Sequence, residues 1–327
     1  MKLLVTGASG FLGSHVAEEL AKEGHAVRAL LRKTSSRAFL EGFAHEEALG
    51  DVTDAASLLA AISGVEAVVH TAGLVKARTE ADFQEVNARG TENLLAAIEG
   101  AAPDLRRFVY VSSLAAHGPS EDGLPRPVEA RPNPITAYGR SKLAGEEITR
   151  ASSIAGRCVI FRPPVIYGPR DPALVPFFQL ARWRVAPLLM GGHNRISITY
   201  VEDIARAIAL AATSEASLAG KTYCPEDGSV YSWRDVLAAV EASAGRKAMR
   251  INAPRWAFSA AAMGSEAFSA VTRRAVSLTR DKVREMAQRH WVCSSDELRR
   301  DLGWAPRVNI RTGAMLTGDW YRQHGWI

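Results

Sequence analysis

Lys2-Leu3-Leu4-Val5-Thr6-Gly7-Ala8-Ser9-Gly10-Phe11-Leu12-Gly13-Ser14 is a short apolar run that turns through spaced glycines into a helical pattern. After a buried strand, such a turn brings backbone N–H groups and the positive end of the next helix against a pyrophosphate, leaving no room for β-carbons. Gly7, Gly10 and Gly13 supply that room, although their spacing is G-x-x-G-x-x-G and not the commoner G-x-G-x-x-G. A tight strand-to-helix turn with no ligand reads the same way in isolation. The context favours a ligand, because the glycines follow a strand and precede Phe11–Glu23, where Leu12, Val16 and Leu20 repeat every four residues.

The rest of the chain extends this unit. Ala26–Leu31 reads as a second strand, Ala67-Val68-Val69-His70-Thr71-Ala72-Gly73 as a buried strand ending in small residues, and Phe108–Ser113 as another that delivers two hydroxyls. Helical stretches lie between them, one from Asp82 with the core stripe Leu94, Leu95 and Ile98. Alternation of this kind predicts an α/β fold: a doubly wound parallel sheet of Rossmann type, with ligands beyond the carboxyl ends of the strands. Asp51, Thr71, Ala72 and Gly73 fall at that edge. His70 reads as a satisfied strand-end histidine, and no neighbouring Cys, His or carboxylate set makes it a metal ligand. The Pro- and Gly-rich connection from Ser113 to Pro134 reads as a functional loop bordering the site.

Arg32-Lys33-Thr34-Ser35-Ser36 follows the second strand, where an adenosine ribose would lie. A guanidinium in a hydroxyl-rich turn suits a 2′-phosphate, whereas an NAD site places an acidic residue there. Arg32 and Lys33 therefore favour NADP, with NAD as the alternative; read without a ligand, the pair begins a solvated loop.

Composition sets limits. With 327 residues, 47% of them hydrophobic, the chain is long enough for one large domain or two modest ones. The net charge of +5 comes from 40 basic and 35 acidic residues, and pairs such as Arg106-Arg107 and Arg299-Arg300 are scattered. No basic block or basic-aromatic stripe points to nucleic acid. Cys158, Cys224 and Cys293 are isolated, which argues against a disulfide framework and for a reducing compartment; a cytoplasmic location is expected. No run has the length of a membrane span; the most apolar late segment, Trp256–Val271, contains Glu266 and several serines.

Chemistry concentrates in Thr136-Ala137-Tyr138-Gly139-Arg140-Ser141-Lys142, the start of a helix. Tyr138 and Lys142 are four apart and share a face. An ammonium nearby favours the phenolate, so Tyr138 can exchange a proton with a substrate hydroxyl or carbonyl while hydride moves to or from a nicotinamide. Ser113, arriving from the preceding strand, can hold the same oxygen.

Taken together, these pieces resemble the extended short-chain dehydrogenase/reductase superfamily, which includes the NAD-dependent epimerase/dehydratase family. The resemblance rests on Thr6-Gly7-Ala8-Ser9-Gly10-Phe11-Leu12-Gly13, Asp51-Val52, Asn87 with Gly90-Thr91, Ser112-Ser113, Tyr138-x-x-x-Lys142, Arg162-Pro163-Pro164-Val165-Ile166-Tyr167-Gly168-Pro169 and Tyr200-Val201-Glu202-Asp203. It implies that Gly7, Ser9, Gly10, Phe11, Leu12 and Gly13 hold pyrophosphate, that Asp51 and Val52 flank the adenine, and that Thr71, Ala72 and Gly73 line the cofactor channel. It further implies that Lys142 also holds the nicotinamide ribose, that Pro163 to Val165 pass beside the carboxamide, and that Ser113, five before Gly118, is the catalytic serine. His117 replaces a tyrosine of the family pattern, a departure expected to alter the substrate wall.

No Asn follows Arg162, and Leu114-Ala115 replaces the acidic pair of the dehydratases. What remains is similar to the branch of dihydroflavonol reductases and 3β-hydroxysteroid dehydrogenases. The expected function is NADP-dependent interconversion of a hydroxyl and a carbonyl on a mainly apolar alcohol or ketone. A nucleotide-sugar epimerase or dehydratase with tightly bound NAD is the alternative, and a non-catalytic NADP(H)-sensing binding protein the second. The expected division is residues 1–170, with 196–220 returning to them, as the dinucleotide-binding domain, and 171–195 with 221–327 as the substrate lobe. In that lobe Trp256, Met263 and Phe268 are candidates for packing, a pocket lid or a membrane-surface contact, and Asp301-Leu302-Gly303-Trp304-Ala305-Pro306 resembles a structural closing turn. The resemblance also implies a homodimer through helices near Asp82–Ile98 and Tyr138–Ala151.

Overall fold

The apolar runs read above become parallel strands. A computed structural model describes all residues, 1–327. Its central sheet contains β1 (Lys2–Thr6), β2 (Ala26–Leu31), β3 (Glu46–Leu49), β4 (Ala67–His70), β5 (Arg107–Val111), β6 (Cys158–Phe161) and β7 (Thr222–Tyr223), in the order β7-β6-β5-β4-β1-β2-β3. Every pairing is parallel. The order reverses between β1 and β4, where Thr6 stands opposite His70, so a ligand crevice opens beyond those two residues.

Both faces of the sheet are covered, as its unbroken apolar strands require. On one side Leu3, Val5, Val69, Val109 and Phe161 pack with α1 (Phe11–Lys22) and a helix later in the chain, Val201–Thr213. On the other, Leu4, Val68, Phe108 and Tyr110 pack with α2 (Ala55–Ile62) and α3 (Gly90–Ala101). Alternate residues of one strand thus serve different cores. The helix read from Asp82 begins at Glu80 under a Thr79–Asp82 capping box, and after one α-turn the stretch Gln84–Arg89 is wound as a π-helix before α3.

A further apolar cluster, apart from the two that cover the sheet, gathers around Tyr167, Phe178, Ile198, Tyr200 and Tyr321. The Asp301–Pro306 turn is tied to the large sheet's helices: Trp304 is buried and its indole N–H donates to the Asp203 carbonyl, while the Asp203 carboxylate accepts from the Arg307 and Val308 amides. Asp203, from the Tyr200-Val201-Glu202-Asp203 motif, therefore holds the chain's last turns in place. No helix is long and apolar enough to cross a membrane.

Candidate active site

Gly7 adopts a positive φ of 70°, and a β-carbon there would press into Thr71 and Ala72 at the end of β4. A side chain on Gly13 would overlap the Gly7 carbonyl. The two glycines let β1, α1 and the β4 end meet closely, and the Gly10 amide closes the turn on the Gly7 carbonyl at 2.9 Å. Helix α1 starts with no side-chain cap and no acidic residue in its first turn. The amides of Phe11, Leu12 and Gly13 are thus left for an anion, beside Ser9.

The β4 end is held by a chain of hydrogen bonds. Thr6 Oγ1 meets His70 Nδ1 at 2.7 Å, His70 Nε2 meets Thr91 Oγ1 at 3.0 Å, and the Thr71 hydroxyl donates to the Thr6 carbonyl. Burial, with Lys142 nearby, pushes His70 down to about 3, so it is a neutral structural link. Asn87, in the π-wound segment, joins Leu74 to the catalytic-candidate helix: its Oδ1 accepts from the Leu74 amide and its Nδ2 donates to Ser141 Oγ.

At the adenosine end, Arg32 and Lys33 are exposed just past β2 and neither side chain has an ionic partner, whereas Arg37 is bound by Glu47. The Arg32 amide donates to Ser35 Oγ at 3.0 Å, forming the hydroxyl-bearing turn. Asp51 spends one carboxylate oxygen on Thr53, and Val52 is buried against Gly90.

Ser113, at the end of β5, caps α4 (Leu114–His117), and the Leu114 amide donates to the Pro163 carbonyl at 2.8 Å. Thr136 caps α5 (Ala137–Ala151), which carries Tyr138 and Lys142. A side chain on Gly139 would overlap the Ala115 carbonyl, so this glycine lets α5 lie against α4. Ser113 consequently faces the Tyr138 phenol, while Phe83 packs its ring 5.9 Å away on another side.

The electrostatics differ from the expectation. Burial pushes the Tyr138 phenol up to about 12; the Ser113 hydroxyl works against this, and Glu285 adds to it. The reason Lys142 does not lower it is positional: its ammonium lies over the Tyr110 ring, 4.9 Å from the centroid, and beside Gly73. Burial pulls Lys142 down to about 8, opposed by Glu146. No protein acceptor bonds the Lys142 ammonium, an unusual state for a buried lysine.

Beneath the site lies a network the sequence reading left unassigned. Glu146 accepts from Arg162 Nε and Nη2 at 2.9 and 2.7 Å and from Ser112 Oγ at 2.6 Å, with both ionic partners fully buried. Ser112 is thereby turned away from Ser113's side. His117, expected at the substrate wall, is instead buried, with Nδ1 against Arg162 Nη1 at 2.9 Å, and burial lowers it to about 4. Glu146 was findable, being one helical turn past Lys142. Asp281 and Glu285 were not: they lie on a distant helix, Arg280–Met286, where Asp281 accepts from the Ala137 amide at 2.9 Å. Val165 is partly exposed on the short strand Val165–Tyr167, immediately after the buried Pro163-Pro164 pair.

An NAD(P) cofactor fits these residues. The uncapped turn suits a pyrophosphate, the partnerless Lys142 ammonium suits a ribose hydroxyl, and Arg32 stands free at the adenosine end. No group of His, Cys, Asp and Glu is arranged to hold a metal.

Residues 3–224 match the model of the NAD dependent epimerase/dehydratase family. The chain is 33% identical to a ceramide reductase of Caulobacter vibrioides, covering 99% of this chain and 95% of that one. It is 30% identical to the 4-hydroxy-2-methyl-3-oxo-4-farnesyl-3,4-dihydroquinoline-1-oxide ketoreductase of Stigmatella aurantiaca, covering 96% and 94%. Among solved structures, that of gox2253 superposes with a TM-score of 0.82 at 28% identity, covering 99% of each chain.

Proposed function

The chain belongs to the NAD dependent epimerase/dehydratase family and is an NAD(P)-dependent oxidoreductase; from that premise we propose that it is an NADP-dependent reductase of a ketone on a hydrocarbon-rich molecule. The observation that carries this reading is the meeting of Ser113 and Tyr138 at the carboxyl edge of the sheet, one helical turn from a lysine with no protein partner. Reduction is supported by the relatives named as reductases, and the phenol is compatible with it: pushed up by burial to about 12, Tyr138 is protonated at neutral pH and can give a proton to a ketone oxygen that becomes an alcohol.

In this mechanism the Ser113 hydroxyl donates to the substrate oxygen and aims it at Tyr138. Tyr138 transfers its phenolic proton to that oxygen as negative charge develops. Lys142 holds the nicotinamide ribose and, once its ammonium is fixed there, supports the phenolate left on Tyr138. Gly7, Ser9, Gly10, Phe11, Leu12 and Gly13 would hold the pyrophosphate, Asp51 and Val52 the adenine end, Thr71, Ala72 and Gly73 the channel between, and Pro163 and Val165 the carboxamide. Arg32, with Lys33, holds the 2′-phosphate. The nicotinamide, when bound, supplies the hydride.

The lobe formed by 171–195 and 221–327 would receive the hydrocarbon part. An apolar substrate is supported by the two relatives above, named for ceramide and for a farnesyl-bearing quinoline. Steady-state reduction of long-chain ketones by NADPH tests the proposal. Tyr138→Phe is expected to lower kcat by about 10²–10⁴-fold with NADPH affinity retained. Unchanged turnover by that variant would refute the mechanism, and NAD(H) carried tightly through purification with no net turnover would favour the epimerase alternative.

A further inference from the structure

The helix Arg255–Thr272 is built inside out. Trp256, Ala260, Met263, Ala267 and Val271 recur at three- or four-residue steps, with Phe268 beside them, and all six are exposed: Trp256 by 73%, Phe268 by 59% and Val271 by 84%. The opposite face, with Ala262, Ser269 and Glu266, is the one turned to the protein. A helix that turns Phe258, Ala262, Ser269 and Glu266 toward the protein and leaves an apolar stripe over 16 residues outward, about 22 Å long, is shaped for an apolar surface. The sequence reading left packing, a pocket lid and a membrane-surface contact open for Trp256, Met263 and Phe268; their exposure removes the first, and the outward direction of the stripe removes the second.

Charge identifies that surface. Arg255 begins the helix and Arg273 and Arg274 follow its end; all three are exposed and without ionic partners. The single acid of the helix, Glu266, is turned inward and bound by the Arg280 amide and Nε at 2.8 and 2.7 Å. A second copy of the chain is a poor occupant. Antiparallel pairing of two such helices sets Arg255 against Arg273 and Arg274, and parallel pairing sets each cation against itself. An apolar stripe with free cations at both ends matches lipid chains below anionic headgroups.

The helix also connects to the site. Glu266 grips Arg280, the next residue, Asp281, accepts from the amide that starts α5, and Glu285 raises the Tyr138 phenol. The lipid-facing helix is thus one helix away from Tyr138. We propose that Arg255–Thr272 docks the enzyme on an anionic lipid surface and sets the mouth of the active site against it, so that a membrane-dissolved ketone enters without crossing water. This rests on the reading above that the substrate is hydrocarbon-rich.

The test is co-sedimentation of the full-length protein with vesicles of phosphatidylcholine alone and of phosphatidylcholine mixed with phosphatidylglycerol. The protein should pellet with the anionic vesicles. Trp256→Ser with Phe268→Ser should lower the partition coefficient at least about tenfold. Arg273→Gln with Arg274→Gln should lower it about 25-fold on anionic vesicles and leave neutral ones unaffected. All these side chains are exposed, so NADPH affinity and turnover of a short, water-soluble ketone should match the parent. Failure of the parent to bind anionic vesicles, or undiminished binding by both double variants, overturns the proposal. So does sedimentation equilibrium showing a dimer that the Trp256→Ser/Phe268→Ser variant breaks, since a second copy would then cover the face. If the parent reduces no ketone yet binds vesicles as described, the functional reading fails and the docking surface stands.

Discussion

Glu146→Gln isolates the buried network under the site. In the parent, the carboxylate takes two hydrogen bonds from the Arg162 guanidinium and one from Ser112, and both ionic side chains are out of solvent. The amide keeps one acceptor but turns an N–H₂ toward a guanidinium N–H, so Arg162 loses one of its two bonds to residue 146 and its counter-charge, and keeps His117 Nδ1 and the Val128 carbonyl. An uncompensated buried charge of this kind costs about 3–5 kcal/mol. For a chain of this length that is a fall in Tm of roughly 4–7 °C. The loss reaches the chemistry because Lys142 and Tyr138 lie one and two turns earlier on the same helix. Glu146 opposes the burial that depresses Lys142, so its removal lowers that lysine's pKa further. Thermal unfolding followed by circular dichroism, with NADPH titration on the folded variant, reads both effects. Arg150→Gln is the control: its guanidinium is partly exposed and 3.8 Å from Glu146, and its loss should cost under ~1 kcal/mol. A second variant, Glu146→Leu with Arg162→Met, should recover part of the stability, because a packed apolar pair needs no counter-charge, but should not recover affinity for NADPH. If Glu146→Gln melted within about 1 °C of the parent, the network would not be holding the helix as argued.

Gly13→Ala puts a methyl into the Gly7 carbonyl and should cost about 1–3 kcal/mol and most of the affinity for NADPH and NADH alike, measured by calorimetry; retained affinity would separate the turn from cofactor binding. Arg32→Asp should weaken NADPH by about 10–150-fold through loss of a charge-assisted contact while sparing NADH, and equal losses for the two would reject the 2′-phosphate role. Lys142 makes stability depend on pH. Its folded pKa of about 8 lies below its ordinary 10.5, so between those values the unfolded chain holds the proton and the folded chain does not. Stability relative to Lys142→Met should therefore rise with pH through that window, by up to ~3 kcal/mol, in urea unfolding; a flat difference would show that the lysine is not desolvated.

Local patterns were enough to determine the parallel sheet, the glycine turn and the Tyr138–Lys142 face, because each is specified by residues a few positions apart: strand runs, one turn, one helical step. The preference for Ser113 over Ser112 rests on the family resemblance, through its place five residues before Gly118. Only the tertiary structure decided what those groups meet. Lys142 is four residues from Tyr138, yet its ammonium goes to Tyr110 and Gly73, so burial and not the lysine governs the phenol. His117 becomes a partner of Arg162, 45 residues on, and Asp281 caps a helix 144 residues before it. Whether Trp256 and Phe268 face a core, a pocket or the outside was also undetermined, because a 3.6-residue period states that a helix has an apolar face and leaves open what stands opposite. Burial and long-range charge depend on three-dimensional neighbours, and these set the pKa values and the exposed stripe on which the chemistry and the docking proposal depend.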